Sequence, residues 1–176
     1  MKYFTKQTML DYNSPNRKIA EKAKKQAERR RKAYWKYIES ICPQLTRKTA
    51  RFFKTMSLHD GSLMAIRMQE FVRSNRFKRN NFVEIEVEHP EVNYVYTLRY
   101  SDVSKFRIDY PSETPLSWDE PYTFGTWGYD ELFLMKNGLL RHEILFLSGA
   151  TIRLEFKTFS HRRRNAEINE GGETGN

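Results

Sequence analysis

The sequence predicts an α+β protein: an N-terminal helical hairpin followed by a curved, mainly antiparallel β-sheet of about seven strands, barrel-like or sandwich-like. Residues 1–56 have helical apolar spacing, whereas apolar and polar residues alternate after Gly61. Residues 1–56 contain 16 Lys/Arg and 4 Asp/Glu, a net charge of +12; residues 57–176 contain 15 Lys/Arg and 18 Asp/Glu, a net of −3. We therefore expect a basic helical segment (1–56), a nearly neutral β body (57–160) and a disordered tail (161–176).

A first, long helix is predicted from Arg17 to about Ile41. Ser14 and Pro15 suit its start, because serine caps backbone N–H groups and proline fits the first turn. Apolar residues recur at helical spacing along it. They are small in the first half of the helix and mostly aromatic in the second: Ala20, Ala23, Ala27, Tyr34, Tyr37 and Ile41. We expect the aromatic end to pack, the N-terminal half to project, and Pro43 to end the helix.

A second, shorter helix is predicted over residues 46–56, and strands follow it. The clearest alternation, at residues 83–87, is typical of a strand with one buried face. Strands are predicted at 64–68, 83–87, 94–98, 106–110, 130–135, 140–147 and 151–159. Turn residues at 136–138 and 148–149 favour hairpins, and a proline-containing loop is expected from Pro111 to Pro121.

The composition argues against a disordered protein and against a membrane-spanning one. Aromatic residues make up 14% of the chain, too many for a disordered polypeptide. Cys42 is the only cysteine, so no internal disulfide can form, which fits a reducing compartment. No apolar stretch is long enough for a membrane helix, so we expect a cytoplasmic protein with no membrane contact. The sequence has no phosphate-binding loop or nucleophile elbow, and we expect no cofactor.

Six residues are candidates for a binding or catalytic cleft: His59, Asp60, Trp127, Asp130, Glu131 and His142. His59 and Asp60 could act as a base and its orienting group, or form a structural turn before the first strand. A hairpin would bring His142 near Asp130 or Glu131, which suits general acid–base chemistry or an ordinary cross-strand ion pair. The four histidines lack the spacing of metal ligands, and no metal site is expected.

The basic face of the long helix is a candidate polyanion-binding surface. Its six cations follow helical spacing: Lys18, Lys22, Lys25, Arg29, Lys32 and Lys36. Such a row could neutralise phosphates, with Tyr34 and Trp35 available to stack on bases. The same row is also typical of a solvated helix surface, and the aromatic residues equally suit packing against the core.

Several segments resemble, in the same order, a family of bacterial proteins that share a domain of unknown function. The matching segments are Met1–Lys6, Tyr34–Tyr37, Ser57–Gly61, Trp127–Glu131, and His142–Leu145 followed by Gly149. The element Leu58-His59-Asp60 is also similar to elements of bacterial immunity-protein families, which neutralise a toxin by binding it. The resemblance implies a bacterial or phage origin and supports the α+β fold.

Three functions are consistent with these patterns. The first is a non-catalytic bacterial binding protein, immunity-like or regulatory, that contacts a protein partner through the β body and its acidic and aromatic residues. The second is a nucleic-acid-associated protein that uses the basic helix. The third is an enzyme in which His59, Asp60, Asp130, Glu131 and His142 meet in one cleft.

Overall fold

The computed structural model describes residues 1–72, 79–110 and 124–166. Three α-helices and eight strands lie within these ranges. The helices are α1 (Lys6–Tyr12), α2 (Arg17–Ile41) and α3 (Arg47–Thr55), with a 3-10 turn at Cys42–Gln44. The strands are β1 (Ser62–Val72), β2 (Arg79–His89), β3 (Tyr94–Ser101), β4 (Lys105–Asp109), β5 (Trp127–Leu134), β6 (Leu140–Phe146), β7 (Thr151–Phe156) and β8 (Thr158–Asn165). In this described part of the chain, no helix has the length and apolar character needed to cross a membrane.

The strands form two four-stranded antiparallel sheets with the orders β1-β2-β3-β8 and β4-β7-β6-β5. One apolar core joins the sheets. The first sheet contributes Val83, Ile85 and Leu98, and the second contributes Ile144 and Ile152, all without solvent exposure. The predicted α+β class is therefore confirmed. The strands lie in two sheets, and they do not close into a barrel.

The eighth strand corrects the predicted tail. Residues 151–159, expected to be one strand, divide at Lys157 into β7 and β8. β8 continues to Asn165 and pairs with β3 along its whole length, so disorder beginning at His161 was wrong for residues 161–165. The sequence pattern did not predict β8, because the strand is rich in arginine and its only buried apolar side chain is Phe159. The predicted 111–121 loop and the end of the tail lie outside the described residues.

The long helix has the predicted bounds, but Asn16 caps it in place of Ser14. The Asn16 side chain accepts hydrogen bonds from the N–H groups of Lys18 and Ile19. Thr46 caps α3 in the same way through the N–H of Thr49. These caps explain where the two predicted helices begin.

Helix α1 was not predicted, and it changes the surroundings of α2. Thr5 caps it, and Met9 is buried against Leu145. Its other side packs against the N-terminal half of α2, where Ala23 is buried and Arg30 donates a hydrogen bond to Thr8. The N-terminal half of α2 therefore packs against α1, and the expectation that it projects was wrong.

The aromatic end of α2 packs as predicted, and its tyrosine hydroxyls cover a sheet edge. β5 is the last strand of its sheet, so alternate N–H groups point away from β6. The Tyr34 hydroxyl accepts from the Leu132 N–H at 2.8 Å, and the Tyr37 hydroxyl accepts from the Leu134 N–H at 2.9 Å. α2 is thereby fixed alongside β5.

The Tyr34→Phe substitution tests this edge. It leaves the buried Leu132 N–H without an acceptor, which should lower the free energy of unfolding by about 1–3 kcal/mol in urea titrations. Tyr110→Phe is the matched control: its hydroxyl is exposed, so its effect should stay within about 0.5 kcal/mol. Equal unfolding midpoints for the two variants would contradict the role given to the Tyr34 hydroxyl.

Candidate functional site

A cleft of about 890 Å³ lies where α1 and α2 meet β5. Its lining includes six aromatic side chains: Phe4, Tyr12, Tyr34, Trp35, Phe53 and Tyr129. Two of these rings remain open to solvent, Tyr12 with 43% and Trp35 with 40% of its surface exposed. Large aromatic side chains that are exposed around one concavity are typical of a binding surface.

The inner wall of the cleft is a stack of rings on Tyr129. Phe4 stacks on it with ring centroids 4.9 Å apart, and His59 meets it edge-on at 5.3 Å. Partial burial, followed by nearby Tyr12 and Asp60, raises the pKa of Tyr129. Tyr129 therefore remains a neutral phenol, suited to packing and hydrogen bonding.

The α2 wall adds charge to this aromatic lining. The Lys24 ammonium lies over the Tyr12 ring, 5.4 Å from its centroid. The Arg31 guanidinium contacts the Glu28 carboxylate at 2.7 Å, one helical turn earlier. The cleft thus combines an aromatic surface with two cations and one carboxylate along the same helix.

Asp130 connects the cleft to a buried polar network. Its Oδ1 accepts from Trp127 Nε1 at 3.1 Å, and its Oδ2 lies 3.1 Å from His142 Nε2. The Tyr100 hydroxyl lies 2.8 Å from His142 Nδ1. Burial, followed by the charge of Asp130, raises the pKa of Tyr100, which keeps this hydroxyl protonated. The contacts match the tautomer in which His142 donates from Nε2 to Asp130 and accepts at Nδ1 from the Tyr100 hydroxyl.

A second buried group lies beside the cleft, where Glu131 and Glu143 face each other across β5 and β6. Glu131 has no solvent exposure, and its carboxylate accepts from the backbone N–H groups of Lys2, Tyr3 and Phe4 at 2.7, 2.7 and 2.5 Å. These bonds hold the Phe4 ring in the cleft wall. Glu131 is therefore a structural carboxylate with no free oxygen facing the cleft.

Glu143 is surrounded by cations. The α-ammonium group of Met1 lies 2.5 Å from one oxygen. The other oxygen lies 2.9 Å from Arg153 Nε and 3.1 Å from Arg141 Nε, although the Arg141 N–H is not aligned for a hydrogen bond. Ion pairing with several partners is what a buried carboxylate requires.

The six predicted cleft residues do not form one site. His59 and Asp130 line the cleft, whereas Trp127 and His142 are buried beneath it. Asp60 occupies a turn with φ of 66° and lies 2.8 Å from His59 Nδ1, and its N–H donates to the Trp127 carbonyl. The Asp130–His142 contact is the cross-strand pair that the hairpin predicted.

The six predicted polyanion-binding residues are all exposed on α2. The cleft residues Tyr12, Lys24 and Arg31 were not predicted as site residues. Trp35 was assigned either to base stacking or to packing at the helix end, and the wall formed by α1 had no separate prediction. Thr5 at the N-cap of α1 was the available signal.

Residues 1–72, 79–110 and 124–166 contain no group of three or more His, Cys, Asp or Glu side chains placed to hold a metal ion. Comparison of the chain with protein-family models, curated proteins and solved structures found no significant match.

Substituting Asp130 tests the buried network. Asp130→Ala removes the acceptor of two buried donors, Trp127 Nε1 and His142 Nε2, and should lower the free energy of unfolding by about 3 kcal/mol. Asp109→Ala is the control, because that exposed carboxylate pairs only with surface groups and should leave the unfolding midpoint nearly unchanged. An Asp130→Ala protein as stable as this control would show that the network contributes nothing.

Proposed function

We propose that this is a non-catalytic binding protein whose cleft receives a segment of a partner protein. One observation carries the proposal: the rings of Tyr12 and Trp35 stay open to solvent at the rim of a cleft already lined with aromatic side chains. Tryptophan and tyrosine are the residues that most often dominate binding energy at protein interfaces, because they bury a large area with few rotatable bonds.

The charges on the α2 side of the cleft favour an acidic partner segment. Lys24 and Arg31 are seven residues apart, so they lie on the same side of α2, and Glu28 between them pairs with Arg31 and Lys32. An apolar or aromatic side chain would fill the cleft, and an adjacent Asp or Glu would meet Lys24. This arrangement would combine an apolar anchor with a charge that fixes orientation.

Binding explains the site better than catalysis does. Glu131 and His142, two of the proposed catalytic residues, already use their polar atoms in internal bonds. His59 is paired with Asp60, and Asp130 accepts from two buried donors. A general acid or base needs a polar atom free to reach substrate, and Glu131 and His142 use theirs in these internal bonds.

Peptide selection tests this proposal with a defined probe. A displayed library of random peptides is selected on the wild-type protein, and the recovered sequences are synthesised and titrated. We expect peptides with an aromatic or large apolar residue beside Asp or Glu. Trp35→Ala should weaken their binding about 30-fold, equivalent to roughly 2 kcal/mol, and alanine suits the helix at this position.

Met68→Ala is the matched control, since Met68 is an apolar side chain with 69% exposure on β1, outside the cleft lining. It should leave the affinity unchanged. Peptides that bind the Trp35→Ala and wild-type proteins equally well, or a selection that enriches no sequence, would contradict the proposal.

A further inference from the structure

We propose that a second surface, formed by α3 and β8, binds the phosphate backbone of a nucleic acid. This α3–β8 basic surface contains seven exposed cations: Arg47, Lys48, Arg51 and Lys54 of α3, and Arg162, Arg163 and Arg164 of β8. It is distinct from the cleft, whose lining includes none of these residues.

Aromatic packing joins the two halves of this surface into one unit. The Phe52 ring lies 4.6 Å from the His161 ring and 5.0 Å from the Phe159 ring, measured between centroids. Phe53 also packs on Phe159 at 5.0 Å. Partial burial, followed by the nearby charge of Lys48, lowers the pKa of His161. Arg163 shares this face of β8 with Phe159 and His161 and is thus held beside the α3 cations, whereas Arg162 and Arg164 point to the opposite face of the same edge strand.

The charge on this surface is only partly compensated. Neither α3 nor β8 contains an Asp or Glu residue. Arg47 and Lys48 occupy the first turn of α3, where the helix dipole disfavours cations. The bond with Arg67 at 2.7 Å lowers the pKa of Glu86, and the charges of Arg164 and Arg162 lower it further, so Glu86 offsets part of the charge of these two arginines. A concentration of charge that opposes folding is better explained by an anionic partner.

Helix α2 differs in this respect, because it contains carboxylates of its own. Glu21 pairs with Arg17 at 2.8 Å, and Glu28 contacts Arg31 at 2.7 Å and Lys32, which belongs to the basic face, at 3.6 Å. Such pairs along a helix are typical of a solvated surface. The α3–β8 basic surface therefore attracts polyanions more strongly for its size than the helix face indicated by the sequence.

Residue type and spacing favour phosphates over other anions. Five of the seven cations are arginines, whose planar guanidinium groups bind phosphate oxygens in pairs. Alternate residues of a strand, such as Arg162 and Arg164, are about 6.6 Å apart, and Arg47 and Arg51 are separated by about 6 Å along the helix. These intervals suit successive phosphates of a nucleic-acid strand. Tyr94 supports Arg163, whose guanidinium lies 4.5 Å from the ring centroid.

The α3–β8 basic surface lacks the exposed large apolar side chains that a membrane or stacked bases would contact. An anionic membrane surface is usually bound by cations together with exposed large apolar residues, and α3 and β8 expose none. The same absence of exposed aromatic rings argues against base stacking. We therefore expect binding through the backbone, with little dependence on base sequence and strong dependence on salt.

Fluorescence anisotropy with labelled RNA of about 20 nucleotides and a DNA duplex of about 20 base pairs tests the inference, at roughly 50 and 200 mM salt. The variant Arg162→Glu/Arg163→Glu/Arg164→Glu should bind at least tenfold more weakly. Losing three phosphate contacts should reduce the slope of log affinity against log salt by about 2 for the RNA and by about 3 for the duplex. Arg51→Glu/Lys54→Glu alters the α3 half of the surface and should also weaken binding at least tenfold. This second variant tests the inference if the β8 variant fails to fold.

Lys18→Glu/Lys22→Glu/Lys25→Glu is the matched control, because it reverses three charges on exposed α2 residues. It should change the affinity less than threefold. The inference would be overturned by no binding at the lower salt concentration, by equal losses in the control and the α3–β8 variants, or by anionic phosphatidylserine vesicles binding more tightly than either nucleic acid. Trp35→Ala should leave nucleic-acid binding unchanged, so this test and the peptide test fail independently.

Discussion

Two carboxylates, Glu131 and Glu143, face each other inside this protein. Like charges on directly opposite residues of neighbouring strands repel, and burial removes the water that would screen them. The structure compensates each one differently. Three consecutive backbone N–H groups bind Glu131, and three cationic groups surround Glu143. Removing the partners of either carboxylate would leave an unpaired charge in the interior, so the first residues of the chain must dock on the second sheet.

That docking positions the cleft. Once residues 2–4 are bound to Glu131, Phe4 stacks on Tyr129 and the chain enters α1 at the Thr5 cap. α1 then fills the space between α2 and β6, and α2 is independently fixed by the tyrosine hydroxyls on the edge of β5. The open rings at the rim of the cleft are therefore held by rigid elements. This rigidity suits a protein that binds through preformed shape.

Features governed by local sequence were predictable, and those governed by distant contacts were not. The bounds of α2 follow from helical spacing, and β2 follows from alternation that places Val83, Ile85 and Val87 in the core. The role of Glu131 depends on N–H groups more than 120 residues away, which no periodicity encodes. β8 was missed because its arginines give the composition of a tail, although pairing with β3 makes it a strand. The α3–β8 basic surface was missed for the same reason.

Hydrogen exchange at the amides of Lys2, Tyr3 and Phe4 tests the central claim most directly, because these are the groups that bind Glu131. The account predicts that they exchange at least about 100-fold more slowly than in an unstructured peptide, and that Glu131→Ala, which removes both acceptor oxygens, removes most of this protection. Glu155→Ala on β7, whose carboxylate holds no such segment, should leave it intact. Unprotected amides at these three positions in the wild-type protein, or full protection retained in Glu131→Ala, would contradict the account.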